Sequence, residues 1–496
     1  GITDLVLLRF NANRTLQWVT YYGGDEGDYL CGTGGDYGKT LDVDANDGIY
    51  LGGYASGNPS AFPTQTSGVG GAWYQDDSNI KGGDNAFLLK FDQNGVRQWG
   101  TLYQHTNASS SGAGIRINGI KCNGSKVYFT GQTYQFSGFD IPLVSLGGAY
   151  NNATFVGNQD VFLGRFNSDC VLEWSTYFNS GNGTATGYQQ GSDLTFDASG
   201  NLILVGQISN DATSVYTLNP GGGAYLNTTI SGFIDHIIAK FNTSLQPTWS
   251  TIIGGTDLDR VSEVSTDPSG NILVASRTAR ANMPTVDPGG GAFYYATLQS
   301  PSNDGFIMKF SPGGVYTWGT YVGGTTTDNS ITGIASDNSG NIYAIGYTQN
   351  TDFPTQTLAG AYNQATNAGS NDLVLMQFTP GGVNTWSTYY GGTGSDACYG
   401  RKIEPSTIAN SCGYKQFFSP TSASANFPTT NPGGGAFFEG TLSGSSSNTI
   451  LMIEDAGGAT AVAPTSISGT TTICNGGSTT LTQVGGTLGT GDNYEW

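Results

Sequence analysis

The stretch DGFIMKF (residues 304–310) is followed by a short turn, by Trp318 and by Gly323-Gly324. It reads as Asp, an apolar strand centre, a basic residue and Phe, and then a second strand that carries Trp. The same cluster occurs as DLVLLRF (4–10) before Trp18, DNAFLLKF (84–91) before Trp99, and DVFLGRF (160–166) before Trp174. It recurs as DHIIAKF (235–241) before Trp249 and DLVLMQF (372–378) before Trp386. A decayed seventh copy, NTILMIED (448–455), has no Trp after it. Self-similarity at a fixed period is the first thing to settle in a sequence, because it decides the architecture.

A second cluster lies between these, best seen as LTFDASGNLILVG (194–206), VSTDPSGNILVAS (264–276) and IASDNSGNIYAIG (334–346). LDVDANDGIYLGG (41–53) is close, and 117–131 and 403–419 are drifted copies. The Asp-x-Ser-Gly-Asn segments are tight hairpin turns, with Asp bonding the backbone and Gly taking positive φ. A third element follows: Phe-Pro-Thr and then a Gly-Ala-aromatic knot, as in Phe353-Pro354-Thr355 with Gly360-Ala361-Tyr362. Each unit supplies four short β-branched and aromatic runs bounded by turn chemistry. A four-stranded unit of roughly 70–80 residues, repeated about six times, predicts an all-β fold, a β-propeller of four-stranded blades. The Trp and Phe positions are expected to form the core between blades. Six blades result if the Trp18 strand closes the last blade beside residues 448–455; seven result if one hairpin lies upstream of Gly1.

The order W-[ST]-T-Y-x-G-G, G-I-x-x-D-x-x-G-N, D-F-P-T and D-x-F-x-x-K-F resembles the SBBP repeat, a family named for the seven-bladed β-propeller. The match is best seen at Trp386, Ser387, Thr388, Tyr389, Tyr390, Gly391 and Gly392, at residues 333–348, and at Asp352-Phe353-Pro354-Thr355. The resemblance covers residues 1–455. It implies a secreted or cell-surface bacterial protein and no single activity. After a linker at 456–464, residues 465–496 resemble the start of an Ig-like/PKD-like module of the kind found in Bacteroidetes proteins exported by type IX secretion. The segment is too short to close such a sandwich. The chain is therefore expected to be part of a longer polypeptide.

Composition narrows the partners. Lys and Arg number 18 against 37 Asp and Glu, a net charge of -19, so no basic surface for nucleic acid is expected. An anionic membrane surface is excluded on the same ground, and apolar runs are too short for a spanning helix. Aromatics at 12% argue against disorder, even with 77 glycines in 496 residues.

In a propeller of this repeat, the two tight turns of each blade share one face. The Gly-Gly links and the Phe-Pro-Thr insertions share the other, which is thus loop-decorated and acidic. Its aspartates, Asp25, Asp28, Asp257, Asp259, Asp328 and Asp396, are the candidate ligand-binding residues, since loops on a rigid scaffold carry function. Asp42, Asp44, Asn46 and Asp47 before Gly48 have the clustered oxygens of a calcium loop without its terminal Glu. No cofactor is otherwise required. Cys122 and Cys170 lie in turns on one face of one blade and are a candidate disulfide. His105 and His236 are the only histidines, too few for a multi-His zinc site. No nucleophile elbow or phosphate loop is present. The expectation is therefore an extracellular chain that is not an enzyme and no catalytic residues, with adhesion, ligand binding or surface assembly on other surface proteins or polysaccharide. The alternatives are a carbohydrate-active enzyme with paired acids in the central pocket and a structural spacer.

Overall fold

The computed structural model describes residues 5–11, 14–24, 28–29, 40–56, 62–76, 83–105, 114–134, 140–156, 158–179, 187–210, 216–279 and 282–398, and short stretches between 404 and 484. Every named element among them is a strand, and chain order is sheet order. β1 (Leu5–Phe10) and β2 (Leu16–Tyr22) form a hairpin. Blade I has β3 (Asp28–Tyr29) and β4 (Leu41–Val43) both on β5 (Ile49–Ala55), then β6 (Asn85–Phe91) and β7 (Arg97–Tyr103). Blade II is β8 (Gly114–Asn123), β9 (Lys126–Tyr134), β10 (Gln159–Asn167) and β11 (Leu172–Tyr177). Blade III is β12 (Gln189–Phe196), β13 (Leu202–Ser209), β14 (Ile234–Phe241) and β15 (Pro247–Ile253). Blade IV is β16 (Asp259–Thr266), β17 (Ile272–Ala279), β18 (Asn303–Phe310) and β19 (Tyr316–Val322). Blade V is β20 (Asn329–Ser336), β21 (Ile342–Thr348), β22 (Asp372–Phe378) and β23 (Asn384–Tyr390). Beyond it, β24 (Asp396–Ala397), β25 (Glu404–Ser406), β26 (Tyr414–Phe418), β27 (Thr421–Ser422), β28 (Ser447–Asn448) and β29 (Leu451–Asp455) pair as β24-β27-β28 and β25-β26-β29. β30 (Ser466–Ser468) pairs with β31 (Thr482–Val484); the rest of the linker and of the expected Ig-like module lies outside the described residues. The architecture is a β-propeller of four-stranded blades. Among the described residues β2 pairs with β1 alone, and β29 pairs with β26, so the Trp18 strand does not close the last blade.

With the strands of each blade lettered A to D from first to last, the repeat consensus reads as a joint between blades. The A strands β8, β12, β16 and β20 pack side by side. Each carries a bulge, and a side chain from one A strand reaches backbone of the next. Cys122 N–H donates to Asp42, Asn118 donates to the Gly191 carbonyl, Val264 N–H donates to Asp193, and Ile334 N–H donates to Glu263. The basic residue of strand C spans outward: Lys240 donates to the Pro312 carbonyl at 2.9 Å and Lys309 to the Pro380 carbonyl at 3.0 Å, both in the next blade's C–D turn. That turn rests on the preceding Trp. A Cβ on Gly314 would stand 2.7 Å from the Trp249 ring, and Gly314 has φ of 82°, so both space and backbone select glycine there.

Trp99, Trp174, Trp249, Trp318 and Trp386 are buried between blades as expected, while Trp18 is half-buried. Trp318 packs with Ile331, Ile342 and Phe378 of the following blade. The A–B turns are Asp-capped: Asp197, Asp267 and Asp337 each accept N–H groups two and four residues on. Burying large aromatic and branched residues such as these stabilises by roughly 1.5–3 kcal/mol each.

The Phe-Pro-Thr insertions lie elsewhere than on an open face. Gln65, Val144, Leu218, Val286 and Gln356 each form an antiparallel bridge with strand D of their own blade. The Trp of strand D donates to a carbonyl of the insertion, as Trp249 does to Tyr225, Trp318 to Phe293 and Trp386 to Tyr362. The insertions therefore cover the outer edge of the blade, where an unpaired strand would invite association with other chains.

Candidate functional site

The ends of the blades that carry the Gly-Gly links are built on buried carboxylates. The Asp that opens strand C is fully buried at Asp160, Asp235, Asp304 and Asp372. The first Gly of each link has no Cβ because that carboxylate occupies the space. A Cβ on Gly391 would lie 2.5 Å from Asp372 Oδ1 and 2.9 Å from Asp396 Oδ2, and one on Gly323 would lie 2.4 Å from Asp304 Oδ1. Burial pushes Asp160 up to about 7, against the Val156 N–H and Asn179 amide that stabilise its charge. Asp235, Asp304 and Asp372 are also raised by burial.

The candidate aspartates fall into different places. Asp25 lies outside the described residues. Asp28 starts β3, opposite Ala55. Asp259 and Asp396 are fully buried at the start of strand A. Asp259 accepts from Thr278 Oγ1 and the Gly255 N–H, and burial, with Asp235 nearby, pushes it up to about 7. Asp396 accepts from Gly392 N–H at 2.7 Å and from Ser422 and Ser424. Their oxygens hold the link to the strand. Asp257 and Asp328 differ. Asp328 accepts from Ser302, from Asn303 at 2.9 Å and from Arg277 at 3.2 Å. Burial pushes Asp328 up, but these donors outweigh it and hold the carboxyl below the ordinary range.

Asp257, Leu258, Arg260, Arg277, Ser302 and Asn303 line an open pocket of about 370 Å³ at this end of blade IV, within the range of small-ligand sites. Arg260 and Arg277 were not singled out by the sequence reading. They stand directly opposite each other on β16 and β17. The corresponding pairs are Gln190 with Gln207 in blade III and Ser330 with Tyr347 in blade V. Their departure from sibling repeats was the available signal, but the pairing depends on the bulge between Val261 and Glu263.

The candidate calcium loop is an Asx-capped turn. Asp44 accepts the Asn46 and Gly48 N–H groups, both at 2.8 Å, and the Tyr50 hydroxyl at 3.0 Å. Asp47 takes the positive-φ place at 60°. Asp42 is occupied by the Cys122 N–H and Lys121. Among the described residues no three His, Cys, Asp or Glu side chains group as metal ligands. The expected Cys122–Cys170 disulfide is corrected: Cys170 is a free thiol. Cys170 has φ of 65° in the C–D turn, where blade IV has Gly314, and its buried thiol donates to the Trp73 carbonyl. Both histidines are held near 4 by burial, so both are neutral at pH 7. His236 Nδ1 lies 3.0 Å from the Ile253 carbonyl.

Residues 317–354 match the beta-propeller repeat family, SBBP. This SBBP segment runs from strand D of blade IV to the Phe-Pro of the blade V insertion. A curated relative, an uncharacterized WD repeat-containing protein of Acanthamoeba polyphaga mimivirus, is 25% identical over 246 residues, 46% of this chain and 17% of its own length. The chain thus spans under a fifth of that relative. Among solved structures it is similar to a Trypanosoma rangeli sialidase in complex with sialic acid (9% identity, 84% of this chain and 55% of that one, TM-score 0.36). It is also similar to an ulvan lyase (10%, 85% and 87%, TM-score 0.35) and to a Dyadobacter fermentans protein of unknown function (10%, 73% and 96%, TM-score 0.34). The expectation that the chain is not an enzyme is corrected here: solved structures similar to it include sialidases and a lyase. Likeness at this level transfers none of those activities.

Proposed function

We propose that the chain is an extracellular β-propeller of a modular bacterial surface or secreted protein, and that its Gly-Gly-link face binds polysaccharide in adhesion or surface assembly. The observation that carries this reading is the pocket in blade IV. At the junction after blade V the buried acid is spent on a backbone N–H and hydroxyls, as Asp396 is. At blade IV a ring-sized opening instead collects Asp257, Arg260, Arg277, Ser302 and Asn303. The scaffold beneath is rigid, which suits a binding site because little ordering is needed on association. The Lys-poor, Asp-rich composition fits a protein exposed to the medium.

The test is a glycan array probed with the labelled chain and with Ser302→Trp, which fills the pocket. Binding by the parent chain and its loss in the variant is the expected result. A parent chain that binds no glycan overturns the reading. A site built on arginines needs no metal, so EDTA is expected to leave the signal unchanged.

A further inference from the structure

We propose that the Arg260–Arg277 pocket takes the oxyanion of an acidic sugar, a uronate carboxylate or a sulfate ester. This rests on the reading of that face as a polysaccharide surface and names the chemistry it selects.

Like charges directly opposite each other on adjacent strands repel. Arg260 and Arg277 are such a pair, and they occur in a chain with only 18 basic residues. Arg116, at the position of Arg260 in blade II, faces the neutral Gln132. Its guanidinium is taken up by Asp84 and lies 4.5 Å from the Tyr54 ring centre and 5.4 Å from that of Tyr134. Arg277 is less fully used. One terminal nitrogen reaches Asp328, while its buried Nε–H has no hydrogen-bond acceptor. An oxyanion seated between the two guanidiniums would relieve the repulsion, and guanidinium is the side chain suited to planar, two-point recognition of such groups.

The rest of the opening fits a sugar ring. Ser302 and Asn303 offer neutral polar atoms on its wall. Phe233, 60% exposed, stands beside it with its N–H on the Asp257 carbonyl and offers an apolar face. The overall charge of -19 repels a polyanion elsewhere, so the contact is confined to this spot and is sensitive to salt.

The experiment is calorimetric titration of the purified chain with glucuronic acid, glucose 6-sulfate and glucose, repeated with Arg277→Gln and Arg260→Gln. At least one acidic sugar is expected to bind tenfold or more tightly than glucose, and each variant is expected to lose at least fivefold of that affinity. The preferred anion tells carboxylate from sulfate. Thermal melts keep the result independent of folding. Without ligand each variant is expected to melt close to the parent, because relief of the like-charge pair is offset by lost partners such as Asp328, whose half-exposed ion pair with Arg277 is worth little; with the acidic sugar only the parent's melting point rises. Equal affinity for glucose and both acids overturns the proposal, as does affinity unchanged in both variants. If a neutral glycan binds and Arg277→Gln leaves that binding intact, the ligand face stands and this assignment falls. If no sugar binds or raises the melting point, both fall.

Discussion

The β1–β2 hairpin and the β18–β19 hairpin are written in the same residues and end in different environments. In β18–β19, Phe306, Met308 and Tyr321 are fully buried, against Ile203, Val205, Ile238 and Trp249 of the preceding blade. Their counterparts Val6, Leu8 and Tyr21 are 44%, 43% and 74% exposed. The opposite face behaves alike in both: Leu5 and Leu7 are buried on blade I, as Ile307 is on blade V. Among the described residues one hairpin has neighbours on both sides and the other on one. The repeat therefore encodes two half-cores per blade, and only stacking completes them, as in other repeat architectures.

Tyr321→Ala should cost about 3–5 kcal/mol in denaturant unfolding, the usual range for deleting a buried aromatic. Tyr21→Ala should move stability by less than about 0.5 kcal/mol. A comparable loss at both positions would break the comparison, since it would mean the bare face is covered in solution. Next in size, Gly323→Ala should cost about 1–3 kcal/mol by forcing the Asp304 carboxylate away. In a double-mutant cycle Asp304→Ala should recover part of that loss, because the two share one contact.

The buried aspartates sharpen the same contrast through pH. The folded-state value of Asp259, near 7, lies above its ordinary 3.8. The folded state therefore binds the proton more tightly than the unfolded one, so this group's contribution is fully present below about pH 4 and lost as pH rises toward 7. Asp259→Asn should flatten the fall in melting temperature over that window. The smallest effect is expected at Cys122. Cys122→Ser should shift stability by about 0.5 kcal/mol or less, where loss of a native disulfide would cost about 2–5 kcal/mol.

Much of this was legible in the sequence because it is local. The Asp267 turn and the Trp318 spacing follow from short-range chemistry repeated in register. The joints were not legible. Lys309 reaches Pro380 and Glu263 reaches Ile334 across 71 residues each, and nothing in either residue names its partner. The insertions join strand D largely through their own backbone atoms, as Gln356 does with Ser387, so the residue types of the insertion do not mark its partner strand. Asp42 and Asp44 read as cation ligands because the donors they accept from, an N–H of blade II and the turn's own backbone N–H groups, become visible only once the strands are aligned. Arg260 and Arg277 lie 17 residues apart, and only the ladder with its bulge sets them face to face.

The reach of one A strand into the next has a genetic consequence. Asp42, Asn118, Asp193 and Glu263 are chemically different, yet each meets main-chain atoms of the following blade. A joint that reads backbone on its far side tolerates any successor with the same bulge. Whole units can therefore be copied, lost or reshuffled by recombination without re-tuning the neighbour, and a single unit such as blade IV is free to diverge at its rim while its seams stay interchangeable.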